Sequence, residues 1–186
     1  MEEPIKIFTE QEYLEYDLAS QDKNEFFNGQ IYAMAGASEK HNTISMNLSI
    51  SIGLQLRNKP CKVYAGDMRI KVKSTGLFAY PDLLVACPEK VFSGDSPDTL
   101  LNPIVIIEIL SDSTESIDRG AKFAHYRQIP SLQEYVLISQ NSQKIEKYHL
   151  NSSSKWELEE TTDEKQEIEL SSISCVLKLE EVYEKT

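Results

Sequence analysis

The sequence predicts a mixed α/β domain in which helices flank a central sheet, with all 186 residues in one unit. A capping box opens a first helix, runs apolar on one or both faces of a pleat fill the middle, and helical spacings stand on either side of them. A chain of this length has room for one buried core and hardly for two, and no repeat or linker divides it.

Thr9-Glu10-Gln11-Glu12 fits the capping box and starts a helix running from Glu10 to about Ala19. Asn28-Gly29, between Glu25-Phe26-Phe27 and Gln30-Ile31-Tyr32, is a strong hairpin signal, because both residues accept the left-handed conformations of a tight turn. Ser38 reads as the N-cap of a long helix reaching about Asn58. Its apolar residues Ile44, Met46, Leu48, Ile50, Ile52, Leu54 and Leu56 fall on more than one side, so two covers are expected, a sheet and a partner subunit.

Strands are predicted at Lys62–Ala65, Met68–Lys73, Phe78–Ala86 and Ile104–Leu110, the last apolar on both sides and therefore central. Asp118 to Gln128 reads as a helix ended by Pro130. Glu134–Ser139 is a further buried strand. Lys144–Leu150 and Trp156–Glu160 form a more exposed pair around Asn151-Ser152-Ser153-Ser154, and a short helix closes the chain at Lys178–Tyr183.

Apolar residues make up 40% of the chain and no run is long enough for a membrane span, while the start, Met1-Glu2-Glu3-Pro4, is acidic rather than signal-like. A cytoplasmic protein is expected. Cys61, Cys87 and Cys175 form no Cys-x-x-Cys pair, so neither a zinc ribbon nor a disulfide scaffold is indicated and three reduced thiols are expected. The formal charge of −11 runs against a protein that grips phosphates. Much of it lies in residues 157–169, read as a solvated face, whereas Lys62, Arg69, Lys71, Lys73, Arg119, Lys122 and Arg127 leave room for a local basic cleft.

Two carboxylates carry the chemistry. Glu108 stands in the most apolar segment, where an unpaired charge is very costly, so a basic partner, a proton or a metal ion must compensate it. Asp82, after Pro81 and before Leu83-Leu84-Val85, poses the same question at the mouth of another buried strand. Acids entering adjacent strands can share one hard divalent cation, and Mg2+ is content with one or two carboxylates and several waters.

Pro81-Asp82 followed by Glu108-Ile109-Leu110 resembles the PD-(D/E)XK pattern of the restriction-endonuclease-like nucleases, except that Leu110 stands where the pattern has lysine. The downstream Asp118-Arg119-Gly120-Ala121-Lys122 … Tyr126 looks like the variation in which the lysine has moved to the following helix. This is similar to the Uma-type family of short bacterial candidate endonucleases, formerly a domain of unknown function. Glu25 with Asn28-Gly29, His41 and Glu134-Tyr135 extend the likeness over nearly the whole chain.

The resemblance implies a restriction-endonuclease-like fold and Mg2+- or Mn2+-dependent hydrolysis of DNA by a homodimer. It gives Asp82, Glu108 and the Ile109 carbonyl as metal ligands, Lys122 as the relocated catalytic lysine, and Glu25 as an added carboxylate. Other assignments stay open. Glu108 can instead be paired with Arg69 or Lys122, and Lys122 can be an exposed lysine paired with Asp118 one turn away. Glu25 can be a hairpin surface residue or structural partner, His41 a helix-start or interface histidine rather than a general base, and Asp67 and Arg69 a solvated pair rather than part of the cleft lining. Asp112 and Thr114 read as turn and cap residues, His125 and His149 as structural. The rival functions are a non-catalytic binding descendant of the same fold and an RNA or nucleotide hydrolase.

Overall fold

The computed structural model describes residues 6–34, 36–94, 97–162 and 165–186. The acidic start at Met1–Pro4 and the acids Asp163 and Glu164 lie outside them. A first helix, α1 (Glu10–Ala19), is opened by Thr9 and Glu12 in a reciprocal capping box. Strands β1 (Asn24–Phe27) and β2 (Gln30–Ala33) form the hairpin about Asn28 and Gly29, both at positive φ. After them come the long helix α2 (Glu39–Leu56), capped by Ser38, and strands β3 (Lys62–Ala65), β4 (Arg69–Val72), β5 (Leu77–Ala79), β6 (Leu83–Ala86), β7 (Thr99–Leu100) and β8 (Val105–Leu110).

A helical segment follows in three pieces: α3 (Glu115–Ile117), a π-helical turn (Asp118–Lys122) and α4 (Phe123–Tyr126). The chain ends with β9 (Glu134–Ser139), β10 (Ile145–Leu150), β11 (Trp156–Glu160), β12 (Glu167–Leu170), β13 (Cys175–Lys178) and α5 (Leu179–Val182).

The strands divide into a sheet ordered β2-β1-β5-β4-β7, a larger one ordered β11-β10-β9-β8-β6-β3, and the ribbon β12-β13. In the larger sheet β8 runs parallel to β9 and antiparallel to β6, so the sheet is mixed. The two faces of β8 enter different cores. Val105, Ile107 and Ile109 pack with Ile44, Leu48, Ile52 and Leu56 of α2, and Ile106 and Leu110 pack with Tyr126, Tyr135 and residues of the smaller sheet. Cover on both faces is why this strand is apolar throughout.

Several sequence expectations change. Phe78–Ala86 is two strands in different sheets, because Pro81 has no N–H for a ladder and the chain passes between sheets at Tyr80-Pro81-Asp82. The acidic run is not all solvated: alternation buries Ile168 and Leu170 in β12, on the ribbon that covers the core beside α2. Cys61 and Cys87 are disulfide-bonded with Cα atoms 3.9 Å apart, so only Cys175 is free. They flank the Lys62–Ala86 pair that ends the β3–β6 ladder, and spacing along the chain does not show that proximity. Arg69 is buried rather than solvated, held by Asp17, Tyr80 and Thr99, whereas Asp67 is exposed and paired with Lys23. No described helix is long and apolar enough to cross a membrane.

Candidate active site

The passage between sheets leaves Asp82 at the entrance of β6, beside the C-terminal half of β8. The two strands latch there through their acids. The Asp82 backbone N–H donates to Glu108 Oε2 at 3.3 Å, and the Ile109 N–H donates to Asp82 Oδ2 at 2.7 Å. The N–H and C=O of one residue in an extended strand lie on the same edge, so the Ile109 carbonyl is on the Asp82 side of β8 as well. The other Asp82 oxygen, Oδ1, is 3.0 Å from Nε2 of His41 in the first turn of α2.

Glu108 is only 3% exposed and lies on the face of β8 that the π turn and α4 cover. Leu110, two residues on and facing the same way, is in the apolar core with Tyr126. A lysine at that position would be driven into the core, and the ammonium comes from the covering helix instead. Lys122 Nζ is 3.0 Å from Glu25 Oε1, 3.3 Å from Glu108 Oε1 and 3.4 Å from Asp118 Oδ1. The Tyr126 hydroxyl donates to the same Glu108 oxygen at 2.9 Å. Asp118, Lys122 and Tyr126, each about one turn from the last, face the sheet together. The π turn carries the first two, and Gly120 at its centre is a weak α-helix former.

Three carboxylates, those of Glu25, Glu108 and Asp118, thus surround one ammonium, and Asp82 is latched to Glu108 beside them. Burial first, and then the neighbouring acids, push the Glu108 carboxyl up to about 8 against the opposing pull of Lys122. Asp118 is raised for the same first reason. Burial alone would lower Lys122, but Glu108, Glu25 and Asp118 outweigh it and hold the ammonium charged well beyond its ordinary range. Ionising Glu108 therefore costs the folded state more than the unfolded one, so its contribution is most favourable below about pH 4.5 and is lost as pH rises through about 8. Glu108→Gln is free of that cost. Its melting temperature is expected to gain on wild type between those limits, by roughly 10 °C at pH 8, in parallel thermal melts. A constant difference across pH would mean that the carboxyl ionises as freely folded as unfolded.

Of the residues predicted for the site, Asp82, Glu108, Ile109, Lys122 and Glu25 come together. Glu25 is no hairpin surface residue, since it also accepts the Tyr80 N–H at 3.4 Å, and Lys122, 12% exposed, is no surface lysine. Glu108 pairs with Lys122 and not with Arg69, which belongs to the Asp17 network. His41, Asp118 and Tyr126 join the site without having been given a role. The common helical face of Asp118, Lys122 and Tyr126 was the available signal for two of them, and the family likeness alone marked His41. His125 rests against the Phe27 ring and His149 pairs with Glu157, neither touching these groups.

Four of the seven basic residues named for a cleft are already taken. Arg69, Lys71, Arg119 and Lys122 are each committed to carboxylates. Among the described residues no three His, Cys, Asp or Glu side chains converge closely enough to hold a metal ion, the central cation being Lys122 itself. The donors nevertheless suit a hard divalent ion that keeps most of its waters: two carboxylates latched side by side, one buried and one at a solvent-accessible rim, in a cluster with three more acids than ammoniums.

A family model described as "Uma2: Putative restriction endonuclease" matches residues 10–179. The chain is 37% identical over 166 residues to an uncharacterized protein of Synechocystis sp. (strain ATCC 27184 / PCC 6803 / Kazusa), covering 89% of this chain and 94% of that one. A second uncharacterized protein of the same organism is 36% identical over 153 residues, covering 82% and 80%. Among solved structures, a crystal structure described as "a putative nuclease belonging to DUF820" from Anabaena variabilis ATCC 29413 superposes with a TM-score of 0.77. It covers 97% of this chain and 98% of that one at 17% identity, a likeness of fold.

Proposed function

We propose, from the premise that the chain belongs to the Uma2 family, that it is a metal-dependent endonuclease hydrolysing DNA phosphodiester bonds as a homodimer. The observation that carries the reading is the latch between Asp82 and Glu108, with Lys122 against the second acid. Asp82 and Glu108, with the Ile109 carbonyl, would hold Mg2+ or Mn2+, and the bound ion would supply Lewis acidity to the phosphate and the attacking water.

The chain's own groups do the rest. The Ile109 N–H and His41 fix both oxygens of Asp82, which keeps the carboxylate from rotating. Tyr126 and Lys122 fix Glu108. Lys122, on a flexible stem, is able to turn from the carboxylates towards a phosphoryl oxygen once another cation balances them, and so to stabilise charge that develops there. Glu25 and Asp118 keep that ammonium at hand. Two copies offer one site to each strand of a duplex. Specificity would come from loops of this one unit, such as 89–101, of which residues 95 and 96 lie outside the described set.

Isothermal titration of Mn2+ into wild type and Asp82→Ala, followed by incubation with plasmid DNA, RNA and nucleoside triphosphates, tests the proposal. Binding by wild type alone, with nicking of the plasmid, is the expected result. Binding with turnover of RNA or triphosphates only would make it a different hydrolase. The absence of binding would favour a non-catalytic descendant, in which Lys122 alone answers the carboxylates it touches. In the same titration His41→Ala is expected to weaken Mn2+ binding about tenfold, the size of effect seen when a ligand loses its orienting partner. His41→Gln, still able to donate to Asp82, should retain most of it. Equal affinity in all three would leave His41 without influence on Asp82.

A further inference from the structure

Helix α2 has two apolar faces, and the molecule covers one. Ile44, Leu48, Ile52 and Leu56 are buried against the larger sheet. On the opposite side Met46, Ile50 and Leu54 are 60%, 53% and 57% exposed, one turn apart from each other. Opposite charges bound this stripe. Glu39 lies on its line in the first turn, and Arg57 continues it in αR conformation just past the last turn, with no ion-pair partner among the described residues. A shallow depression lined by Glu39, Asn42, Thr43, Met46 and Asn47 opens beside Met46.

Read from either end, the stripe has one polar residue, three apolar ones and another polar one at the same helical spacings: Thr43, Met46, Ile50, Leu54, Arg57. Such a pattern is its own complement in an antiparallel pairing. With a two-fold axis at Ile50, that residue meets its own copy and Met46 faces Leu54 of the second copy, placing that leucine over the depression. Arg57 of the second copy then lies beside Thr43, about 6 Å along the axis from Glu39 at 1.5 Å per residue, within reach of its carboxylate. The depression, the knob that fills it and the ion pair that fixes direction are all on one face.

We infer that the outer face of α2 is a homodimer interface, in which two copies pack their Met46, Ile50 and Leu54 side chains antiparallel about Ile50. This rests on the surface alone and stands whether or not the carboxylate site is a nuclease. One helix pair buries less than the roughly 1,200 Å² of a standard interface, so an association in the micromolar range is expected.

Sedimentation velocity from about 5 to 200 µM reads it directly. Wild type should pass from monomer to dimer, and Ile50→Glu should stay monomeric with an unchanged melting temperature, since that side chain contributes little to the core. Glu39→Arg and Arg57→Glu should each weaken the dimer about tenfold, and together restore it. Ile50→Cys, close to its own copy at the axis, should cross-link on mild oxidation into a dimer that dithiothreitol dissolves. A wild type monomeric at the highest concentration would mean that some other protein covers the stripe, and would overturn the inference. So would a dimer that survives Ile50→Glu, or a charge reversal that fails to restore association.

Discussion

Mn2+-dependent nicking of supercoiled plasmid is expected to fall about a thousandfold or more in Asp82→Asn and in Glu108→Gln, measured as initial rates on agarose gels. A metal centre contributes several kcal/mol of transition-state stabilisation, and about 4 kcal/mol corresponds to three orders of magnitude in rate. Both substitutions keep the shape of the side chain and remove only its charge. The amide that replaces the Asp82 carboxylate is still able to accept the Ile109 N–H, and the amide that replaces Glu108 still accepts the Tyr126 hydroxyl, so neither variant should unfold. The burial that raises Glu108, with the like-charge crowding added to it, also means that a neutral residue there relieves the fold near neutral pH. Loss of nicking with an intact melt therefore reports the site. Loss of both would make these carboxylates structural, and retained nicking would remove the premise of the proposed reaction.

Lys122→Met is expected to cost about 3–5 kcal/mol, because Glu25, Glu108 and Asp118 then share a buried space without their ammonium. In a chain of this size that is a fall of roughly 10 °C in melting temperature. An exposed lysine paired with Asp118 on a helix would cost no more than about 0.5 kcal/mol, so the measurement separates the two. The penalty has a definite pH dependence. Glu108 and Asp118, both raised by burial, would be raised further without the lysine, so in acid they take up protons and need no cation. Wild type and variant should differ least in acid and diverge most as pH rises through and beyond about 8, the value to which Glu108 is already raised with the lysine present. Nicking by the variant should fall about a hundredfold with Mn2+ binding retained. A melt that does not move would return Lys122 to the surface.

The architecture was legible where local rules act. The capping box at Thr9, the Asn28-Gly29 turn, the Ser38 cap and the doubly apolar run of β8 each declare an element through backbone conformation or through periodicity over a few residues. The same rules failed at Tyr80-Pro81-Asp82, where an apolar run conceals a passage from one sheet to another. They failed again at the π turn, where a helical spacing read with its usual period places the element's start three residues late.

By itself, the sequence determined that Glu108 stands inside a strand where charge is expensive and Asp82 at the mouth of another, and therefore that something must answer them. It also determined that α2 has two apolar sides, since a helical period is a property of the chain alone. Only the tertiary structure decided what answers the acids. Lys122, Glu25, Asp118, Tyr126 and His41 arrive from four separate elements, and Arg69 is claimed elsewhere by Asp17. Burial and periodicity are written in neighbouring residues, but an electrostatic partner is chosen by distance through space. That distance exists only once the two sheets and the covering helix have packed.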